Sequence, residues 1–505
     1  MKRYVVASDL GTGSCKTVVV DDYGYVVGVA SCEYLSSYPQ PGWCEQDPQD
    51  WLKAVGKTVP EALARAGISP TQVSAYGLVG VTHNAVLLDE DGEPLRPCIL
   101  LYDTRSQVEC DQLITRWGDK IYDRTWNSIT PIWTFPQLLW VRMNEPEIWR
   151  KVKKILFQKD FVRNVIAPSL VTDFIDAEGS LLYDPIHNSW INDFITELDI
   201  PVSVLPEVVK STEIVGRIGT AGAGLTGLLE GTPVIAGTTD TAAEVFGAGA
   251  LLPGQGTVKL ASVGRIACVT TQPVNHPNSL NYRHVLDDLW YPGTATKYAS
   301  SAFRWLRENV WGNAPYDYMD MAAANISPGS EGLLFHPHLQ GEWVPYWDSS
   351  LRANFVGITM RHGNDHMARA VMEGVAFALR AGMEYARNLG LAFDEIRLLG
   401  GGSESKLWTQ IIADSLNRTI IIPAERDAAF GAALITGIGI GMFPSDVDGI
   451  NRLIRFSEQC VPNPQNCAIY DDLFNIYQES DLVLHEVSKK LADFEKKYPR
   501  IKNGG

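Results

Sequence analysis

The sequence predicts an α/β protein arranged as two large domains. Three observations carry that expectation. β-branched runs alternate along the whole chain with segments whose apolar residues recur every three or four positions. The chain has 505 residues, more than one core holds, and no low-complexity linker divides it. A strand–turn–strand pattern near the start also has an echo near the middle, as two halves of related architecture would show.

Taken in order, residues 4–8 (Tyr-Val-Val-Ala-Ser) read as a strand. It enters Asp9, Leu10, Gly11, Thr12, Gly13 and Ser14, and residues 16–21 return as a second strand. Residues 48–66 read as a helix with Trp51, Leu52, Val55, Val59 and Leu63 on one face and Pro60 placed to kink it. Residues 73–88 read as strand, loop, strand. Residues 257–260, 261–264 and 265–270 repeat the opening hairpin with a turn of small residues. Residues 366–389 form a long helix, with Met367, Ala370, Val371, Gly374, Val375 and Ala378 at helical steps. A strand over 394–399 runs into Gly400, Gly401 and Gly402, and helices follow over 407–416 and 428–442. The last element, residues 472–497, reads as an amphipathic surface helix. The domains are expected at 1–246 and 247–505.

Composition narrows the function. The formal net charge of −16, with no basic run, argues against nucleic acid or an anionic membrane as partner. The eight cysteines are scattered without a CxxC pair, which excludes a zinc knuckle, a thioredoxin-like site and a disulfide scaffold. Asp9 interrupts the apolar run behind Lys2 and Arg3 too early for a signal peptide. The uncharged stretch 428–444 is Gly-rich and falls short of the roughly 20 residues that cross a bilayer. A soluble, cytoplasmic protein is expected.

The glycine loops point toward phosphate chemistry. A dinucleotide fingerprint needs a helix after its glycines, but a valine-rich strand follows Gly13. The spacing from Gly11 to Lys16 also lacks the GxxxxGK[ST] pattern. What remains is either a hairpin whose backbone N–H groups close on a phosphate, with Asp9 placed for Mg²⁺, or a plain β-turn led by an Asp. Gly400–Gly402 likewise read either as a backbone surface for a flat ring such as a nucleotide base or as a flexible strand-to-helix loop.

In order, these elements resemble the FGGY carbohydrate kinases, ATP-dependent sugar and polyol kinases of the two-domain actin-like ATPase (ribonuclease H-like) fold with a central catalytic cleft. The resemblance runs from Asp9 to about Pro444. Its most specific stretch is residues 353–358 (Ala-Asn-Phe-Val-Gly-Ile), then seven residues, then 366–373 (His-Met-Ala-Arg-Ala-Val-Met-Glu). Residues 134–140 and 144–146 resemble the family's N-terminal pattern, departing at Gln137, where Lys is usual. Within the family the likeness is to the xylulokinases, through residues 41–48 (Pro-Gly-Trp-Cys-Glu-Gln-Asp-Pro), 87–92 and 95–97. The sugar-site Gln-Met-His-Gly appears here as Val81-Thr82-His83-Asn84, the usual Trp-Asn-Asp as Leu101-Tyr102-Asp103, and the second phosphate loop as Ala261-Ser262-Val263-Gly264.

The resemblance implies roles for particular residues. Asp240, before a helix-like segment, is the candidate general base; on the residues alone it reads equally as that helix's cap. Asp9 and Asp240 would hold Mg²⁺. Thr82, His83 and Asp103, with Asp240, would bind sugar, although a lone His is more often structural and Asp103 could simply pair Arg105. ATP would lie on Gly11, Thr12, Gly13, Ala261 and Ser262 through its phosphates and on Gly401, Gly402 and Ser403 through its adenosine. Lys16 either neutralises phosphate charge or is a strand-edge lysine, and Phe303 and Trp305 read as core. D-Xylulose, phosphorylated at its terminal hydroxyl, is the expected substrate. The alternatives are ribulose, erythrulose or glycerol, or a non-catalytic sensor on the same fold. The implied partners are the sugar and ATP, with a homodimer the one assembly considered.

Overall fold

A computed structural model describes residues 2–498 and divides them into two compact units. The first comprises residues up to 251 together with 271–291 and 425–455; the second comprises 252–270, 292–424 and the residues from 456 on.

The first unit is built on a seven-stranded sheet. Tyr4–Leu10, Ser14–Asp21 and Val26–Glu33 form an antiparallel meander. Val73–Gly80 then adds in parallel beside Tyr4–Leu10, with Pro233–Ile235 and Thr238–Thr239 parallel to it and Ile214–Arg217 antiparallel at the edge. Period-two alternation decides which side chains meet which helix. Tyr4, Val6, Leu10, Cys15 and Val19 face the core that Trp51, Val55, Val59 and Leu63 enter from helix Pro48–Ala66. Val5, Ala7, Val18 and Val20 face the opposite core, which holds Ala243 and Phe246 of helix Asp240–Gly247 and Ala429–Ile435 of helix Ala428–Gly439. A strand buried on both faces must be apolar throughout, which is why these strands read as unbroken valine runs.

That second core also explains why the units are not contiguous in sequence. The expected boundary after 246 falls close to Leu251, but segment 425–455 returns to the first unit because its helix covers one face of the first sheet. Small residues permit the approach. A Cβ at Gly431 would stand 1.8 Å from the Ala243 carbonyl oxygen, and one at Gly247 would stand 2.9 Å from the Gly431 backbone.

The second unit repeats the plan. Gln255–Leu260, Gly264–Cys268 and Gly293–Thr296 form the meander. Glu395–Leu399 and Ile420–Pro423 add in parallel, and Phe456–Cys460 closes the six-stranded sheet antiparallel. The hairpin echo in the sequence is thus an echo of whole sheets. In helix Asn364–Asn388 every residue from 368 to 379 is buried. The C-terminal helix begins at Pro464, eight residues before the sequence-based start, where Asn463 caps it through the Gln465 amide and proline occupies the first helical position. It is a surface helix only in part, since Tyr470, Phe474, Tyr477 and Asp481 are buried.

Candidate active site

The first glycine loop joins Leu10 to Cys15, directly opposite each other in the hairpin. Its carbonyls are held from behind. Tyr34 donates its backbone N–H to the Gly13 carbonyl at 3.1 Å, and its hydroxyl reaches the Gly11 and Ser14 carbonyls. Gln46 Nε2 donates to the Thr12 carbonyl at 2.6 Å and is itself fixed by Trp51, whose indole N–H donates to Oε1. With the carbonyls turned back, the N–H groups of Thr12 and Gly13 make no hydrogen bond among the described residues, and the space beside the Gly13 α-carbon is open. This is an arrangement that receives an anion.

Lys16 is not free beside this loop. It lies opposite Asp9 in the hairpin, and its ammonium is bonded to the carboxylate of Asp427, which precedes helix Ala428–Gly439. Its charge is therefore matched within the protein.

Asp9 and Asp240 lie at one end of the sheet. Asp9 is in register with Val79 on one side of that strand, and Thr238 is in register with Val79 on the other. Asp240 follows two residues later. Both carboxylates raise the pKa of the Tyr34 phenol, already pushed far above its ordinary value by burial. The capping question is settled by Thr239, whose hydroxyl accepts the Ala242 N–H, so Asp240 is the first helical residue and not the cap. Its Oδ1 accepts the Thr241 N–H at 2.6 Å and the Thr241 hydroxyl at 3.2 Å. Two carboxylates at the carboxyl end of parallel strands are hard oxygen donors of the kind Mg²⁺ takes.

Val81, Thr82, His83 and Asn84 follow strand Val73–Gly80 and are all buried. The Val81 N–H donates to the Leu10 carbonyl and to Gln158 Oε1, which ties this loop to the phosphate-type loop. His83 has φ +51°, a left-handed backbone that few residues other than glycine adopt. It is held there by donation of its N–H to Asp176 Oδ1 at 2.7 Å and by the Thr134 hydroxyl on its carbonyl at 2.5 Å. Its ring packs 5.0 Å from Trp133 and against Gly179, where any Cβ would come within 2.5 Å. Burial lowers its pKa to about 3, so the imidazole is neutral at pH 7. Asn84 went unremarked in the sequence as more than a departure; it is 1% exposed, and neither its Oδ1 nor its Nδ2 has a hydrogen-bond partner.

The charges that fix His83 carry no motif and were not foreseen. Lys159 Nζ contacts Asp160 Oδ1 at 2.8 Å, Asp173 Oδ1 at 3.0 Å and Asp176 Oδ2 at 2.8 Å, and Arg163 bonds Asp160 at 2.6 Å. All five groups are buried. Asp176 carries the backbone of His83, while Asp173 Oδ2 accepts the hydroxyl of Thr238, two residues before Asp240. One ionic cluster therefore braces both the His83 loop and the strand leading to Asp240. A buried lysine within an ordinary amphipathic pattern gives no sequence signal of this kind.

For Asp103 the structural alternative holds. Its carboxylate receives the Cys44 N–H at 2.6 Å, the Arg105 N–H at 2.9 Å, and the Arg105 guanidinium through Nε at 2.9 Å and an Nη at 2.7 Å. With its acceptor positions filled and only 1% of it exposed, Asp103 orients Arg105 rather than reaching for a ligand. Arg105 stacks 3.7 Å from the Trp43 ring and 4.9 Å from that of Trp140, and bonds Glu45 at 2.7 Å. Residues 41–48 are architectural in the same way: Glu45 also holds Arg96, Gln46 holds the first loop, and Asp47 caps helix Pro48–Ala66.

In the second unit, the turn after Gln255–Leu260 mirrors the first loop. Its Ala261 and Ser262 carbonyls accept the N–H groups of Ser300 and Ala299 at 2.7 and 3.0 Å, and Ser301 Oγ also donates to Ser262. The Gly400 segment packs onto it. Gly400 has φ +83°, and a Cβ there would stand 2.8 Å from the Leu260 carbonyl, so only glycine serves. Gly402 presses on Leu260 in the same way, whereas Gly401 has open space beside it. Ser403 is 3% exposed and donates to the Gly400 carbonyl at 2.7 Å, so it shapes the turn instead of presenting its hydroxyl outward.

Among the described residues, no helix is long and apolar enough to cross a membrane. Comparison with known proteins agrees with this geometry. A xylulose kinase of Bacillus subtilis (strain 168) is 31% identical over 98% of this chain and 100% of its own. A gluconokinase of the same organism is 26% identical over 98% and 99%. The crystal structure of xylulose kinase from Rhodospirillum rubrum superposes with a TM-score of 0.86 at 27% identity, over 96% of this chain and all of that one. Residues 4–247 match the N-terminal domain of the FGGY family of carbohydrate kinases and residues 263–440 its C-terminal domain. With paired hairpin loops, sheet-end carboxylates and near-full-length kinship all in agreement, this chain belongs to the FGGY family of carbohydrate kinases and has its two-domain, actin-like ATPase fold.

Proposed function

We propose that the chain transfers the γ-phosphoryl group of ATP to the terminal hydroxyl of a ketose, D-xylulose first, giving the 5-phosphate. The observation that carries this reading is the place of Asp240, whose carboxylate stands on the first helical residue directly after strand Thr238–Thr239, with Thr239 capping the helix. Asp240 accepts the hydroxyl proton as the sugar oxygen attacks phosphorus, and Thr241 fixes its Oδ1 for that task. The N–H groups of Thr12 and Gly13 bind phosphate oxygens, as do those of the Ala261–Ser262 turn, while Gly401 offers bare backbone to adenosine and Gly402 and Ser403 shape the turn beside it. Asp9 and Asp240 would hold Mg²⁺ or its waters; bound there, the ion neutralises charge on the phosphates.

Sugar recognition falls to His83 and Thr82. The Thr134 hydroxyl lies 3.4 Å from His83 Nδ1 and donates to the His83 carbonyl, so its oxygen accepts from Nδ1–H and leaves Nε2 to accept a sugar hydroxyl. Thr82 adds a short hydroxyl. Asp103 contributes indirectly, by fixing Arg105 and Cys44. ADP release measured with D-xylulose, D-ribulose, L-erythrulose, glycerol and gluconate tests the reading. The highest kcat/KM is expected for D-xylulose. Absence of sugar-dependent ADP release would refute kinase activity, and preference for gluconate or glycerol would refute the substrate.

A further inference from the structure

The second unit holds a cluster of ligating side chains that phosphoryl transfer does not use. His336 ends strand Leu334–His336, His338 follows it, and Asp481 projects from helix Pro464–Lys497. All three are buried, none more than 2% exposed. His336 Nδ1 lies 3.3 Å from Asp481 Oδ1, His338 Nε2 lies 3.2 Å from the same oxygen, and the three candidate ligand atoms are within 4.8 Å of one another.

The hydrogen bonds around the cluster fix what its inner atoms present. Ser480 Oγ donates to the Tyr477 carbonyl at 3.0 Å, so at 2.9 Å from His336 Nε2 it accepts that nitrogen's proton. The remaining His336 nitrogen, Nδ1, then carries a lone pair aimed at a buried carboxylate. It makes no hydrogen bond, and neither does Asp481 Oδ2. His338 Nδ1 lies 3.3 Å from Glu342 Oε2 and Nε2 lies 3.2 Å from Asp481 Oδ1, both acceptors only, so without an ion both nitrogens carry protons; an ion displaces the one on Nε2 while Nδ1–H stays on Glu342. An outer N–H fixed by a carboxylate or hydroxyl while the inner nitrogen faces a third donor is how ligating histidines are held.

From this geometry we infer a divalent-cation site of the zinc type, made by His336 Nδ1, His338 Nε2 and the carboxylate of Asp481. Bonds of about 2.0–2.1 Å to a tetrahedral ion put neighbouring donor atoms about 3.3 Å apart, which is the separation of each histidine nitrogen from Asp481 Oδ1. Two imidazoles with one carboxylate suit zinc, and a solvent molecule takes the fourth position. Charge agrees as well: Glu342 and Asp481 bring two buried negative charges that one divalent ion balances while both imidazoles remain neutral. Closed off on all sides, the ion is structural. It ties the C-terminal helix to the sheet-side segment 334–338, more than 140 residues away in sequence.

The alternative is a buried ion pair in which a protonated His338 bridges the two carboxylates. The full-length chain, stripped with dipicolinate and refilled with Zn²⁺ alone, distinguishes the two. The metal reading expects about one zinc ion per chain by mass spectrometry, a melting midpoint several degrees higher with zinc than without, and a d–d absorption spectrum of a four-coordinate site when Co²⁺ replaces zinc. His336→Gln and Asp481→Asn should each lose stoichiometric zinc while phosphoryl transfer by the folded variants persists. If a variant fails to fold, the Co²⁺ spectrum of the unaltered chain decides. A wild-type chain that takes up neither ion, with a midpoint indifferent to both chelator and zinc, would overturn the site in favour of the ion pair.

Discussion

Replacing Lys159 by Met tests whether the buried ionic cluster holds the His83 loop and the strand before Asp240. The substitution keeps length and bulk but removes the one ammonium that touches three carboxylates at 2.8, 3.0 and 2.8 Å. At an effective dielectric of about 20, each such contact represents an attraction of about 6 kcal/mol. Desolvating the ions offsets several kcal/mol apiece, so removing one partner from a buried set costs about 3–5 kcal/mol. Urea unfolding followed by tryptophan fluorescence should show the midpoint lowered by about 1–1.7 M for a slope near 3 kcal/mol/M. Acidity supplies a second readout. Burial, helped by Asp173 and Asp160 and opposed by Lys159, pushes the Asp176 carboxyl up to about 7. A group whose folded pKa is raised contributes its stability fully below the unfolded value near 4 and loses it as pH rises through the folded value. Without Lys159 the carboxyl is harder still to ionise, so the variant's deficit should be smaller at pH 5.5 than at pH 8. An unchanged midpoint, or equal deficits at the two pH values, would refute the bracing role.

Three further outcomes follow from the geometry. Asp240→Asn should lower kcat about 10²- to 10⁴-fold while sugar binding by calorimetry persists; near-normal turnover with saturating Mg²⁺ and ATP would remove Asp240 as base. Gly431→Ala places a methyl 1.8 Å from the Ala243 carbonyl, so the two helices must part; about 1–3 kcal/mol of stability should be lost, read as a lower urea midpoint, with an unaltered midpoint counting against the close packing. The His83 pKa lies near 3 against 6.5 when unfolded, so its contribution is complete above 6.5 and lost as pH falls toward 3. His83→Gln should accordingly lose less stability than wild type between pH 6.5 and 5, by about 2 kcal/mol, and parallel losses would mean the imidazole is not buried neutral.

Much of the fold was legible because it rests on local periodicity. The strands at 4–10 and 14–21, the helix Pro48–Ala66 and the helix Asn364–Asn388 each bury a stripe or a whole strand that the sequence displays directly. Motif residues were legible as positions but less so as roles. Asp240 kept its place and shed its capping alternative, while Asp103 and Lys16 proved to be engaged by Arg105 and Asp427. Those partners differ in distance along the chain. Arg105 is two residues from Asp103 and was anticipated, whereas Asp427 is 411 residues from Lys16 and meets it only because a later helix closes on the first sheet. The assignment of 425–455 to the first unit was hidden for the same reason, since an all-buried run of small residues records that it is covered and not by what.

The buried polar groups show how far such long-range pairing reaches into function. Lys159, Asp160, Asp173 and Asp176 form no motif, yet through Asp176 they hold His83 in a left-handed backbone and through Asp173 they hold Thr238. A left-handed conformation at a histidine is strained and persists only where the surroundings over-determine it. Two hydrogen bonds to its backbone and the bare α-carbon of Gly179 against its ring supply that constraint. The same cluster thereby ties the His83 loop to the strand leading to Asp240, since both hang from carboxylates that share one ammonium. On the roles proposed for Thr82, His83 and Asp240, substitutions in this ionic cluster should change kcat and KM together, whereas a change at Thr82 alone should alter substrate ratios and leave stability nearly intact.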